Sequence, residues 1–257
     1  MTWSKLFAAA LPLLSVPLIL MIPSHAIAKT PASTEFCSTL VRIESTLSSS
    51  IPLVFLPPEV AVEVAQYQLG VIEPLFISAQ DIVPSEIADA MATYASATIQ
   101  SLRTLDFTTT QTVEFATADD AIDAKLLADC GFEPINVTAT NYEYLNIKDT
   151  MPVGETSLTL TNVSDQVHEI SISRINDDIN LTAREVLMLG EKDALAAISL
   201  VAYAAVPVNG SETTFLNLSP GRYYAVCFIP AGATSFHEPS DGAPHFLYGM
   251  LKEFVVQ

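Results

Sequence analysis

The last stretch of the chain, GRYYAVCFIPAGATSFHEPSDGAPHFLYGMLKEFVVQ (221–257), decides the fold. Its first part, RYYAVCFI, alternates between two faces as a β-strand does, and Cys227 shares the apolar face with Tyr223. We therefore expect a buried thiol near the end of a strand. His245 and Met250 follow on the next connection, directly before a predicted final strand, KEFVV.

The segments upstream of this stretch have the same period of two. INVTATNYEYLNI, TSLTLTNV, HEISISRI and TTFLNL are short, rich in β-branched and aromatic residues, and separated by turn clusters such as MPVGE and VNGSE. Many short strands with few helices between them predict an antiparallel sandwich over residues 135–257. One insertion, 176–203, interrupts the rhythm and predicts one or two short helices capped by Thr182.

Four side chains of this half are candidate metal ligands. In HEISISRI the alternation places His168 on the same face as the core isoleucines. Together with Cys227, His245 and Met250 it supplies two imidazoles, a thiolate and a thioether, the set that suits blue copper. Thiolate and thioether stabilise Cu(I), and imidazole accepts both oxidation states. His237 is an alternative to His245 as the second histidine.

Three motifs in this half resemble those of the cupredoxins, the plastocyanin-like blue copper domains. They are LTNVSDQVHEI, LSPGRYYAVC and HFLYGMLKEFVV, in the family's order. The resemblance implies a Greek-key sandwich with one copper ion held by His168, Cys227, His245 and Met250, and it favours His245 because Gly-Met follows it. It also implies that Asn162 supports the loop of the first histidine without itself binding the metal.

One feature departs from the family pattern. Seventeen residues separate Cys227 from His245, whereas the small blue copper proteins have only a few there. The whole chain also resembles bacterial secreted proteins that pair a helical N-terminal half with a cupredoxin-like half.

The N-terminal half, 29–134, has a different pattern. Four segments, TEFCSTLVRIESTL, PPEVAVEVAQYQLGVIEPLF, PSEIADAMATYASATIQSL and TADDAIDAKLLADCGF, show helical spacing of apolar residues. We expect the second helix to run to Pro74 and the third to begin with Ser85 as its N-cap. This half carries no histidine after residue 28 and no phosphate loop, which predicts a small helical bundle for packing or partner binding. The expected fold class is therefore α+β, a bundle followed by a sandwich.

The chain has three cysteines, an odd number. Cys37 lies near the start of the first predicted helix and Cys130 near the end of the last, so both belong to the helical half. We predict a Cys37–Cys130 disulfide, which leaves Cys227 free or metal-bound.

The N-terminus resembles a secretory signal. Lys5 is the only charged residue before Ala28, an apolar run follows it, and SHAIA supplies small residues for cleavage after Ala28. We therefore predict a signal peptide over 1–28 and a secreted or periplasmic protein, with a membrane anchor as the alternative. No later segment is expected to span a membrane. The net charge of −18 argues against nucleic acid as a partner.

The predicted function is that of a secreted type 1 copper protein in one-electron transfer or copper handling, with a redox protein as partner. An enzyme is not expected, because the chain lacks the further histidines of a second copper centre and shows no Ser-His-Asp pattern. The alternative is a metal-free cupredoxin-fold module that binds a partner or stabilises an envelope assembly. The long connection between Cys227 and His245 favours that alternative.

Overall fold

A computed structural model describes residues 32–50, 52–53, 56–236 and 240–257 of the chain. The predicted signal peptide (1–28) lies outside the described residues, as does His237.

The N-terminal part folds as four helices, as predicted. These are α1 (Thr34–Ser48), α2 (Pro58–Gln80), α3 (Ala88–Thr104) and α4 (Val113–Asp129). Their apolar faces form one core, in which Phe36, Leu40, Ile72 and Leu126 are fully buried.

The second helix does not end at Pro74 but continues to Gln80. Beyond the proline, Leu75, Phe76 and Ala79 are buried in the bundle core, and this burial offsets the hydrogen bond that a proline inside a helix forfeits. With 23 residues and a mean hydropathy of 1.2, α2 is long and apolar enough to cross a membrane by length and composition alone, whereas no segment after residue 28 was expected to do so.

Ser85 does not act as the N-cap of α3. Residues Ser85–Ile87 form a 3₁₀ turn, in which the Ile87 amide donates to the Pro84 carbonyl, and α3 begins at Ala88. The tighter turn places Ile87 in the bundle core, at 6% exposure.

The C-terminal part is a sandwich of two sheets. Its elements are β1 (Glu133–Thr140), β2 (Glu143–Leu145), β3 (Thr150–Met151), β4 (Gly154–Asn162), β5 (His168–Ile175), α5 (Ala183–Leu187), α6 (Glu191–Ala196), β6 (Ile198–Val206), β7 (Ser211–Leu218), β8 (Gly221–Val226) and β9 (Leu251–Val256). One sheet has the order β2-β1-β4-β7 and the other β3-β9-β8-β5-β6. Most neighbours are antiparallel, but β1–β4 and β3–β9 are parallel. The predicted fold class, a helical bundle followed by a β-sandwich, is confirmed.

The helical insertion is shorter than predicted. Thr182 does cap α5, with a reciprocal bond to Glu185, but the helices end at Ala196 and β6 occupies Ile198–Val206. Alanines of high helix propensity obscure the alternation of this segment. Pairing with β5 decides the conformation, because it places Ala202 and Ala204 in the sandwich core.

The bundle packs on the sandwich rather than standing apart from it. Helix α1 contacts β7, and Phe215 of β7 is buried in the core of the bundle. Phe132 meets Phe215 with 5.4 Å between the ring centroids. The predicted disulfide is confirmed, since Cys37 and Cys130 are bonded with their Cα atoms 5.7 Å apart. The predicted domain boundary at 134 stays a prediction; β1 begins at Glu133.

Candidate metal centre

Three of the predicted ligands meet at one end of the sandwich. The Cys227 sulfur lies 3.4 Å from Nδ1 of His245 and 4.0 Å from Nδ1 of His168, and the two Nδ1 atoms are 3.1 Å apart. All three residues are fully buried. Among the described residues this is the one group of three or more histidine, cysteine or acidic side chains whose ligand atoms converge closely enough for a metal ion.

Neighbouring strands bring these residues together. His168 is the first residue of β5, Cys227 follows the last residue of β8, and these two strands are paired. His245 begins a short 3₁₀ turn, and Met250 directly precedes β9.

Met250 is tied to the site through its main chain. Its carbonyl accepts from the Cys227 amide, and its own amide donates to the His245 carbonyl, both at 3.2 Å. The side chain is fully buried in the same core cluster as Cys227. Gly249 makes this turn possible, because its φ is +140° and a Cβ there would lie 2.7 Å from the Tyr142 carbonyl.

The long connection between Cys227 and His245 is closed at its base. The His245 amide donates to the Ile229 carbonyl and the Ala231 amide to the Ala243 carbonyl, each at 2.9 Å. Pro230 and Pro244 form a bridge between these two bonds. These contacts form a hairpin base that holds His245 beside Cys227.

Two hydrogen bonds determine which ring nitrogen each histidine presents. The Ser164 hydroxyl donates to the Gln166 carbonyl, so it accepts from Nε2–H of His168 at 2.8 Å. Oε1 of Gln166 accepts from the Gly232 amide and from Nε2–H of His245 at 3.2 Å. Both rings therefore carry their proton on Nε2 and turn an unprotonated Nδ1 toward Cys227.

Asn162 supports the turn that carries these two partners. Its side-chain amide donates to the carbonyls of Gln166, at 2.7 Å, and Pro207, at 3.0 Å. Its oxygen accepts from the Ser164 amide at 2.9 Å. Asn162 thus holds the segment between β4 and β5 in the conformation that places Ser164 and Gln166 against the histidines.

Burial makes the three ligands neutral in the metal-free protein. Loss of solvent, reinforced by the nearby Glu169, raises the pKa of the Cys227 thiol to about 12. Burial lowers the pKa of His168 to about 4, with a smaller contribution from His245, and burial also lowers the pKa of His245. Near pH 7 the site therefore holds a thiol and two neutral imidazoles, and a bound cation would displace the thiol proton.

Glu169 is a buried carboxyl beside the site, at 8% exposure. One of its oxygens accepts from the Phe228 amide at 2.8 Å and the other from the Tyr203 hydroxyl at 2.9 Å. Burial raises its pKa, and these two hydrogen bonds oppose the rise. Since Phe228 follows Cys227 and Glu169 follows His168, this contact couples the two ligand strands.

The donor set fits a copper ion. Two imidazole nitrogens and a sulfur, all buried and with ligand atoms within 4.8 Å of one another, suit a soft or borderline transition metal. The hard cations Mg²⁺ and Ca²⁺ prefer carboxylate and carbonyl oxygens, and no carboxylate belongs to this described group.

Sequence reasoning did not identify Ser164, Gln166 or Glu169. Ser164 and Gln166 lie inside the quoted motif LTNVSDQVHEI, so their closeness to His168 along the chain was the available signal. The alternation of HEISISRI places Glu169 on the face opposite His168, and nothing in the sequence indicates that this face is covered.

Solved structures similar to the C-terminal half include blue copper proteins. A reduced auracyanin from Roseiflexus castenholzii is 26% identical, and the match covers 48% of this chain and 96% of that one, with a TM-score of 0.32. For auracyanin A, described as a "blue" copper protein from Chloroflexus aurantiacus, the identity is 19%, the coverage 49% and 100%, and the TM-score 0.29. For a reduced amicyanin variant the values are 16%, 48% and 82%, and 0.27.

Multicopper oxidases also match, over smaller shares of their own chains. No family model and no curated protein matches the sequence. The C-terminal half is thus a two-sheet sandwich that gathers the ligand atoms of His168, Cys227 and His245 at one end, with Met250 buried in the same core cluster as Cys227, the arrangement that the resemblance to the cupredoxins predicted.

Proposed function

We propose that this chain is a type 1 copper protein that carries single electrons outside the cytoplasm. The observation that supports this most directly is the buried triad of Cys227, His168 and His245, whose ligand atoms lie 3.1–4.0 Å apart. A copper ion held there would alternate between Cu(I) and Cu(II) and so store one electron.

The surrounding residues suit this role. Ser164 and Gln166 hold the Nε2 protons of the histidines, so each Nδ1 is available as a donor without any change of tautomer. Cys227 would bind as the thiolate after losing its proton, and Met250 would supply a weaker thioether donor. Because the ligands are buried, they would keep water from a bound ion, and the hydrogen bonds to the histidines would hold these in place when the ion changes oxidation state.

Electron transfer is favoured over copper handling by the same rigidity. A protein that passes its metal on must release it, whereas here His245 is held by a closed hairpin base and by Gln166. The disulfide fits an oxidising compartment, which agrees with the signal peptide predicted over 1–28. A redox protein would be the partner, and Leu247 and Tyr248, two and three residues after His245, are exposed.

The metal-free alternative loses its main support. It was favoured by the length of the connection between Cys227 and His245, but the bonds at the base of that connection bring the two residues together. Two buried histidines around a buried thiol also have no evident packing purpose.

The test is the colour of the purified protein after addition of Cu(II). We expect one copper per chain and an intense blue absorption from the copper–thiolate bond. Cys227→Ser should abolish the blue band, whereas replacing both Cys37 and Cys130 by serine should retain it. Reduction and reoxidation should occur with the metal retained.

Two results would overturn the proposal. If no copper is taken up, the chain is a metal-free module. If copper is bound without the blue band, or if Cys227→Ser keeps the colour, the thiolate is not a ligand.

A further inference from the structure

None of the four candidate copper ligands reaches the surface, because each is 0% exposed. A partner protein therefore cannot touch a ligand directly. We propose that Tyr142 and Tyr248 form the path by which an electron passes between the metal centre and a positively charged redox protein. This inference rests on the copper function proposed above and adds where the electron leaves the molecule.

Two ring contacts connect His245 with the surface. The ring of Tyr142 meets that of His245 edge-on, with 5.2 Å between the centroids, and it lies 4.9 Å from the ring of Tyr248. Both distances are those of aromatic rings in direct contact. Tyr142 is half-buried, whereas Tyr248 is 55% exposed. The three rings therefore form a continuous chain from a ligand to the surface.

The position of Tyr142 is fixed through its side chain and its main chain. Its hydroxyl accepts from Nε2 of Gln166 at 3.1 Å, and Gln166 also accepts from His245. Its φ is +73°, a left-handed conformation that is unfavourable for a bulky residue. Such conformations persist where the surroundings impose them, and they cluster at functional sites. A tyrosine held here against the preference of its backbone points to a role for its ring.

The contact between the rings matters because an electron tunnels faster through groups in contact than across a gap of the same length. In the proposed step the one-electron acceptor of the partner is reduced and the copper goes from Cu(I) to Cu(II). Both tyrosines keep their electrons and their protons. The competing exit is Phe228, which follows Cys227 and is 45% exposed. Its described ring contact is with Phe246, which is not a ligand.

Charge determines the kind of partner. The chain has a net charge of −18, the exposed Glu143 follows Tyr142, and the exposed Asp165 precedes Gln166. Carboxylates at this end of the sandwich attract a positively charged surface and speed its approach. Leu247, 46% exposed beside Tyr248, adds apolar contact area. The surface thus suits a cationic protein that presents an apolar edge of its redox group.

The first experiment locates the docking surface in the metal-free full chain. The probe is tris(1,10-phenanthroline)chromium(III), a paramagnetic trivalent cation with aromatic ligands that does not oxidise the protein. We expect it to broaden the amide NMR signals of Leu247 and Tyr248 before those of other residues. Tyr248→Ser should weaken this broadening, whereas Tyr67→Ser, at a 69% exposed position on α2, should leave it unchanged. Broadening elsewhere that spares Tyr248 would overturn the proposal.

The second experiment measures the oxidation of the reduced, copper-loaded chain by tris(1,10-phenanthroline)cobalt(III), a cationic one-electron acceptor. Tyr248→Ser and Tyr142→Leu should each lower the second-order rate constant by about tenfold, the usual effect of removing an aromatic contact residue. Tyr248→Phe, which keeps the ring, should restore most of the rate. The blue band and the reduction potential should stay unchanged in the Tyr248 variants, which separates loss of the path from damage to the site.

Two results of this second experiment would overturn the electron path. One is an equal rate constant for Tyr248→Ser and Tyr67→Ser, and the other is a loss of rate in Phe228→Ser alone. A chain that takes up no copper would refute the proposed function and the path with it. The chromium titration would then still show whether this surface docks a cationic complex, so the two failures are distinguishable.

Discussion

At the scale of single residues, Gln166 joins the most parts of the candidate metal centre. Its Oε1 accepts from His245 and from Gly232, and its side-chain nitrogen donates to the Tyr142 hydroxyl at 3.1 Å. One side chain therefore orients a ligand and holds the start of the long connection.

Replacing Gln166 by leucine should lower the affinity for copper by about 10–100-fold, the usual effect of losing a partner that orients a metal ligand. The His245 ring would lose the acceptor that fixes its tautomer. Copper affinity from competition with a chelator measures the effect, and the position of the blue band reports the changed geometry. Gln100→Leu, at an exposed position on α3, is the control. Equal affinities for the two variants would show that Gln166 does not position His245.

At the scale of elements, the hairpin base of the Cys227–His245 connection keeps His245 close to Cys227, as a short loop would. Gly242 lies beside this base, and a Cβ at that position would be 2.1 Å from the Ala231 carbonyl oxygen. A main-chain atom cannot yield as a flexible side chain can, so only glycine fits without displacing the backbone.

Gly242→Ala should therefore separate the two sides of the base and move His245 away from Cys227. We expect weaker copper binding, by about tenfold or more, together with a lower Tm of the metal-free protein. Gly70→Ala is the matched control, because a Cβ there meets nothing within 4 Å. Unchanged affinity in Gly242→Ala would mean that the base does not hold His245 in place.

At the scale of the whole molecule, the disulfide and the metal centre stabilise different regions. Cys37 and Cys130 close a loop with a sequence separation of 93 around the bundle, whereas Cys227 lies in the sandwich. Replacing both bundle cysteines by serine should destabilise the protein by at most about 4–5 kcal/mol. Urea unfolding measures the loss, and the blue band of the folded variant should be unchanged. A folded double-serine variant without the blue band would show that the bundle shapes the copper site.

A second prediction at this scale concerns acidic groups between α1 and α4. Burial raises the pKa of Glu44 to about 7 and that of Asp123 to about 9, and nearby carboxyls reinforce both shifts. Because both pKa values are higher in the folded than in the unfolded state, the folded state binds protons more tightly. The stability therefore falls as the pH rises from about 4 to 9. Thermal unfolding at pH 5 and pH 8 should show the higher Tm at pH 5.

Asp123→Asn should reduce this dependence and raise the Tm at pH 8 by about 2–4 °C, the shift that 1 kcal/mol gives in a chain of this size. Asp81→Asn, at the exposed C-terminal end of α2, is the control and should leave the dependence unchanged. If the Tm changed with pH equally in Asp123→Asn and in the unmodified chain, Asp123 would not contribute to the pH dependence.

The sequence by itself determined the features that depend on residue type and local period. Alternation identified the strand that directly precedes Cys227 and the inward side of His168, and helical spacing identified the four helices. The number and placement of the cysteines led to the correct disulfide. These signals are local, since a period of two or of 3.6 residues is visible within a few turns or strand pairs.

Only the tertiary structure decided the rest, because those features depend on contacts between residues far apart in the chain. Pairing with β5 made a strand of Ile198–Val206, and burial in the bundle core carried α2 past Pro74. Gln166 and His245 are 79 residues apart in sequence, yet their hydrogen bond orients the ligand. Contacts between residues so far apart produce no periodic pattern in the sequence. The geometry of the site is therefore set by tertiary packing and cannot be read from local sequence.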